Sequence, residues 1–451
     1  MFAYAVCLYG QDSAAGMTIA QAVEAALRNY PSIAVSQEEI NAAAAGIQLA
    51  RTAYLPRVDA LAQANRATRN NVFGMLLPQP LGVIPAMSGP VLGTDNFGTA
   101  WGSAVGVLVT WEPFDFGERK SAIAAAEASR SRTEAALRRT RYEVAAGAAD
   151  AYVTLVAAAE TVRAAQAGVD RAQVVLKTIT ALVNAQLRPG ADASRAEAEL
   201  AAARTQWIRA RQAEAVARAN VARFTGAEPA GIAVAPGRLL EQAPERAASA
   251  PDLARNPIAL EQNAVVEQLR AGLKVLERSY FPRFALEASA YSRGSGAETS
   301  GKILGGVNGL APNYQNYGLG LTVTFPAMDA FSLRAREAQQ AASIRAESAR
   351  ARQVAVDLKA RWEAAVATLE GARDIAANTP AQVRAARAAA SQATARYQSG
   401  LGNIDEVAEA ERLLTQAEID DALARLGTWR GLLGLAAAAG DLDPFLAEAG
   451  R

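Results

Sequence analysis

Two stretches of this chain alternate strictly between apolar residues and small or polar ones. In the first, Trp101, Ser103, Val105, Val107, Val109 and Trp111 alternate with Gly102, Ala104, Gly106, Leu108 and Thr110. In the second, Tyr317, Leu319, Leu321, Val323 and Phe325 alternate with Gly318, Gly320, Thr322 and Thr324. A period of two marks a strand with one apolar face. Runs of about 9–11 residues with aromatic ends fit tilted strands that cross a bilayer, which puts Trp101, Trp111, Tyr317 and Phe325 in the interfacial girdles. Two weaker alternating runs, 57–66 and 283–292, supply a partner strand before each.

Nearly all other residues carry helical spacing. A proline-free run over 116–187 predicts a helix of about 105 Å. Ile123, Leu137, Val144 and Ala151 sit at multiples of seven, with Arg130 interrupting, and Val162, Val169, Leu176 and Val183 continue the step. This is a heptad seam thinned with alanine, which lets helices approach closely. A shorter helix returns over 191–225 after the turn Arg188-Pro189-Gly190-Ala191-Asp192. The later half predicts a long helix over 331–399, a turn at Gly400-Leu401-Gly402 and a returning helix over 404–439.

The two halves are related. Leu27-Arg28-Asn29-Tyr30-Pro31 answers Ala254-Arg255-Asn256-Pro257, and Tyr54-Leu55-Pro56-Arg57 answers Tyr280-Phe281-Pro282-Arg283. Pro31 to Pro257 and Pro56 to Pro282 are the same step of 226 residues. Trp111-Glu112-Pro113-Phe114-Asp115 matches Phe325-Pro326-Ala327-Met328-Asp329 at a smaller offset, because the second loop is shorter. The chain therefore reads as a tandem duplication. The expected organisation is a first repeat over 18–228, a proline-rich linker over 229–250, a second repeat over 251–442 and a tail over 443–451. Within the first repeat the strands are 57–66 and 100–112, and within the second 283–292 and 317–326. In each, an N-terminal helix of roughly 35 residues stops at Pro56 or Pro282, as proline stops a helix. Tyr54 and Tyr280 belong to these helix-to-strand junctions. The loops over 68–99 and 293–316 are rich in Gly, Pro and Asn.

Composition narrows the function. The 451 residues carry a net charge of +1 and no histidine, and Cys7 is the only cysteine. A neutral chain offers no field for nucleic acid. Without histidine there is no Ser-His-Asp or Cys-His catalysis and no His-ligated metal. No phosphate loop, metal cluster or partnered nucleophile is visible, so neither an enzyme nor a cofactor is expected. No run of about 18 apolar residues predicts a transmembrane helix, so any membrane crossing is made by strands. The apolar start, residues 2–9, followed by Ser13-Ala14-Ala15, fits the remnant of a signal peptide over 1–17 that lacks a basic start. A lipidated Cys7 and an inert buried one are the alternatives.

Four membrane-type strands cannot close a barrel with a usable lumen, which takes about eight, and open strand edges are not tolerated in lipid. The chain must share its barrel with copies of itself; two copies supply eight strands and three supply twelve.

The order helix, Tyr-Leu/Phe-Pro-Arg, strand, loop, strand, Phe-Asp/Met-Asp and long helix resembles the TolC-like outer-membrane efflux protein family. So does Arg396-Tyr397-Gln398-Ser399-Gly400 followed by Ile404-Asp405-Glu406-Val407-Ala408-Glu409-Ala410-Glu411. The likeness runs from Thr18 to Leu442. It implies a mainly helical chain whose duplicated coiled-coil hairpins form a periplasmic tunnel, with four strands contributing to a twelve-stranded barrel in a homotrimer. It further implies a passive exit duct in the Gram-negative outer membrane, for small molecules or polypeptides. The implied partners are a periplasmic membrane-fusion adaptor, an inner-membrane pump of the RND or ABC type, and outer-membrane lipid.

The resemblance also assigns residues. Acidic rings narrow the family's periplasmic entrance, and their positions match Glu406 and Glu409, with Asp405 and Tyr397 beside them. Clustered carboxylates would favour cations in a narrow ring; the plainer reading is solvated acids at a helix start, where the dipole welcomes them. Gly402 and Asn403 stand where some members carry a basic latch, which leaves Arg396 and Arg412 as the nearby cations. Pro189 and Gly190, with Gly400 and Gly402, form the hairpin tips that meet the adaptor. The competing function is a coiled-coil scaffold or surface adhesin that forms no channel, which the strand pairs and matched prolines oppose. With five methionines and no histidine, a dedicated copper or silver duct is disfavoured.

Overall fold

A computed structural model describes residues 16–68, 98–245, 250–298, 302–325 and 327–450. Cys7 with most of the expected signal-peptide remnant, and most of the first loop with Gly82, lie outside the described residues. The chain divides into two compact units, one of Asn41–Ser131 with Val265–Ala346 and one of the remaining segments.

The first unit is built on a four-stranded antiparallel sheet in the order β1-β2-β3-β4, formed by β1 (Arg57–Thr68), β2 (Thr99–Phe114), β3 (Arg283–Ser295) and β4 (Tyr314–Thr324). Register carries the alternation across all four strands. Val58, Val109, Ala288 and Leu319 lie in one row, and Val107, Ala290 and Tyr317 lie in the next. Residues opposite one another in an antiparallel pair share a face. One face is therefore apolar, and on β4 Tyr317 is 90% exposed and Leu319 78%. The other face carries the row Asp59, Leu108, Ser289, Gly318 and the row Leu61, Gly106, Tyr291, Asn316. A one-residue slip would exchange the faces, so the pattern pins the register. Within this chain β1 and β4 each pair on one side only. Three strands exceed the 9–11 residues that span a bilayer, β2 reaching 16.

The strand-to-helix junction is knotted by a residue that the sequence pattern does not flag. Arg119 is 8% exposed. Its guanidinium meets the Asp115 carboxylate at 2.9 Å, donates to the Ala53 carbonyl at 3.0 Å and to that of Glu112, and lies 5.0 Å over the Tyr54 ring. Burial alone would raise the Asp115 pKa, but N–H groups of Arg119 and Gly117 and the guanidinium together hold it below its ordinary value. Trp111, read from its position as a girdle residue, also donates its indole N–H to the Tyr54 carbonyl at 3.1 Å.

The second unit is helical, and four of the following helices also run through the first. The helix expected over roughly 18–53 is two: α1 (Ile19–Asn29) and α2 (Pro31–Thr52). Thr18 and Gln21 close a capping box at the start of α1, and Tyr30 ends it in an extended conformation before Pro31. Residues before proline are driven out of the helical region, which breaks the run there. α3 (Glu118–Asn184) and α4 (Gly190–Thr225) make the first hairpin, and after α5 (Pro257–Arg278) come α6 (Asp329–Gln398) and α7 (Ile404–Ala439), the second. Pro380 lies inside α6, which continues through it. A short α8 (Asp443–Ala449) forms from the tail and buries Phe445. The largest core joins Ile19, Val23, Tyr152, Trp429, Leu433 and Phe445. The Tyr152 hydroxyl lies 2.7 Å from the Met17 carbonyl and 2.8 Å from that of Ala235, and burial pushes its pKa up to about 12.

Candidate functional site

The hairpin ends fall in the helical unit, and their turns follow from local chemistry. After α3, Gln186 takes a positive φ of 62° and Leu187 stands 69% exposed. Pro189 then caps α4, whose first residue is Gly190. After α6, Gly400 takes φ of 81°, a conformation open to glycine at no steric cost, and Leu401 is 73% exposed. Asn403 caps α7 by accepting from the Glu406 N–H at 2.8 Å.

Tyr397 joins the two ends. It is 3% exposed, packed with Ile179 of α3, Ala196 of α4, and Ile404 and Val407 of α7. Its hydroxyl donates to the Asp192 carboxylate at 2.7 Å. From the other tip, Arg188 places its guanidinium 4.3 Å over the ring and donates to the Tyr397 carbonyl. Burial first, then the bond to Asp192, pushes the phenol up to about 12, so it stays a donor at physiological pH.

The acidic candidates are exposed, and each has an arginine. Asp405 pairs with Arg195 of the first hairpin at 3.3 Å, Glu406 with Arg396 at 3.7 Å, and Glu409 with Arg412. Arg396 also donates to the Leu401 carbonyl at 3.2 Å, which braces the turn holding Gly402. Sequence reasoning named the stretch from Arg188 to Asp192 as a tip without seeing its charges as partners. The signal was a cation and a carboxylate flanking a Pro-Gly turn.

Higher along the hairpins, Arg171 of α3 reaches α7. It contacts Glu411 at 3.1 Å and Glu418 at 3.0 Å, and donates to the Thr415 hydroxyl at 2.8 Å; Arg387 of α6 adds a contact to Glu418 at 3.3 Å. The helices touch there, since a Cβ on Gly168 would lie 3.0 Å from Thr415. Burial raises the Glu411 pKa, and Glu418 adds to it, against the pull of Arg171. Among the described residues, no group of three or more acids or cysteines is placed to hold a metal. No helix among the described residues is long and apolar enough to cross a membrane.

Comparison with known proteins identifies the setting. No protein of curated function matches the chain in sequence. Among solved structures, the outer-membrane channel OprN superposes with a TM-score of 0.72 at 22% identity, over 94% of this chain and 89% of that one. The Campylobacter jejuni CmeC outer membrane channel gives 0.72 at 14% identity, over 98% and 94%. The open state of the Neisseria gonorrhoeae MtrE channel gives 0.71 at 18% identity, over 94% and 89%. These likenesses show the fold. The family model for outer membrane efflux proteins matches residues 22–227 and again 252–441. With a sheet apolar on one face and paired helical hairpins, the chain belongs to the outer membrane efflux protein family, whose members are channels rather than enzymes.

Proposed function

We propose that this protein is the passive exit duct of a tripartite efflux pump or type I secretion system, closed at its hairpin tips until a pump docks. The sheet carries this reading. One chain offers an apolar face, a polar face and two open edges. In lipid those edges must be paired, and three copies joining β1 to β4 would do so in a twelve-stranded barrel whose polar face lines the lumen. The connections between β1 and β2 and between β3 and β4 face the exterior. The tips, with Pro189, Gly190, Gly400 and Gly402 beside the exposed Leu187 and Leu401, meet a periplasmic adaptor coupled to an inner-membrane pump of the RND or ABC type.

Asp405, Glu406 and Glu409, each repeated three times, would ring the entrance, and the Tyr397–Asp192 bond would hold it shut. The mass of the purified protein in mild detergent tests the assembly. A trimer is expected; a stable monomer would sink the shared barrel. Cysteines at Gly82 or Ser295 should label on intact cells, whereas labelling at Gly190 would reverse the topology. Replacing Glu406 and Glu409 by alanine should leave the trimer intact and lower cation selectivity in planar bilayers. An unchanged selectivity would return both residues to the role of solvated acids at a helix start.

A further inference from the structure

The polar face of the sheet holds a hollow of about 330 Å³ around Ser289. Glycines make the space, and they differ in what demands them. A Cβ on Gly106 would lie 2.3 Å from the Tyr291 Cβ, so packing requires glycine there. At Gly320 a Cβ would meet nothing within 4 Å. A glycine inside a strand weakens it, and often marks a bulge, a bend or a place where another group approaches the backbone. Directly opposite Gly320 stands Glu287, exposed, and no cation among the described residues pairs with it. On the other side of Ser289 is Tyr291, and Leu61 and Leu108 add aliphatic wall. Alternate residues of a strand are about 7 Å apart, so carboxylate and phenol ring flank the hollow at its two ends.

A carboxylate, an aromatic ring and an aliphatic wall around one open space suit a cation with an apolar body, which the charge attracts and the ring accepts through its face. We propose that this hollow is a resting site on the channel wall for organic cations, present three times in the assembled barrel. The proposal rests on the reading that the polar face lines the lumen.

Ser289→Cys, in protein reconstituted into vesicles, tests both. Cationic trimethylammonium-ethyl and anionic sulfonatoethyl methanethiosulfonate reagents are compared, each normalised to free cysteine. One carboxylate about 7 Å away in water should favour the cation over the anion about sevenfold. Adding Glu287→Gln should cut the ratio by about that factor, and tetraphenylphosphonium should slow labelling by both reagents in the parent. Labelling with no charge preference, or no protection, overturns the site while leaving the lumen reading in place. Labelling of Leu319→Cys with none at Ser289→Cys overturns the face assignment, and the site with it.

Discussion

Arg119 and Leu333 stand at matching places, four residues after Asp115 and Asp329, and close their helix starts by opposite chemistry. Arg119 is tied to a carboxylate, two carbonyls and an aromatic ring, whereas Leu333 is simply buried, at 5% exposure. The long helices differ in the same direction. α3 runs 67 residues without an interior proline, and α6 runs 70 residues through Pro380. From Thr379 to the tip the second hairpin carries polar side-chain contacts, Thr379 to Asp421 at 2.9 Å, Arg387 to Glu418, Arg171 to Glu411, and Tyr397 to Asp192, beside a small alanine-rich core of Ala386, Ala390, Ala410, Leu414 and Ala417. Above Pro380, Gly431 packs directly on Leu369, and Trp429 is wholly buried. Duplication supplied one architecture twice; on the proposed reading the first copy is a frame and the second an arm fastened by contacts that can be released.

The largest expected effect is at the frame. Arg119→Ala leaves the buried Asp115 charge without its partner and should cost about 3–5 kcal/mol. Leu333→Ala loses packing only and should cost about 2–3 kcal/mol. Thermal unfolding of the two purified variants compares them directly; equal losses would erase the contrast. Next comes the tie between tips. Tyr397→Phe removes one hydrogen bond to a carboxylate, worth about 1.5–3 kcal/mol. That should raise the open probability in planar bilayers by roughly one to two decades. Pro380→Ala restores a helix N–H and should stabilise α6 by about 1–3 kcal/mol, seen as a higher unfolding midpoint and slower opening.

The smallest effect is a pH dependence. The Glu411 carboxyl is raised in the folded chain, so the fold holds this proton more tightly than the unfolded chain does. Stability from this site is therefore present at acid pH and declines as pH rises through the raised value. Glu411→Gln should gain up to about 1 kcal/mol at pH 7, with Arg171 still held by Glu418, and nothing near pH 4. Unfolding midpoints at the two pH values check the sign.

These contrasts were unevenly legible in the sequence. Period-two alternation exposed the strands because burial on one face alone writes itself into every second residue. Pro56 and Pro282 marked the junctions because proline acts locally. Arg119, by contrast, is one arginine among many; its carbonyl partners lie on backbone that any residue could supply. The Tyr397–Asp192 bond spans 205 residues, and neither side chain carries a mark of the other. The break at Tyr30 was missed although Pro31 was in view, because the alanine-rich spacing continues across it.

On the proposed reading, the duct opens when the second hairpin parts from the first. A Cβ on Gly168 would sit 3.7 Å from the Thr415 Cβ, within the range a disulfide bridges. In the Tyr397→Phe background, a Gly168→Cys, Thr415→Cys pair should oxidise to a crosslink that returns the channel to the closed conductance of the parent, and reduction should reopen it. If the oxidised protein conducts as freely as the reduced one, the two hairpins do not part there and the arm is not what gates the duct.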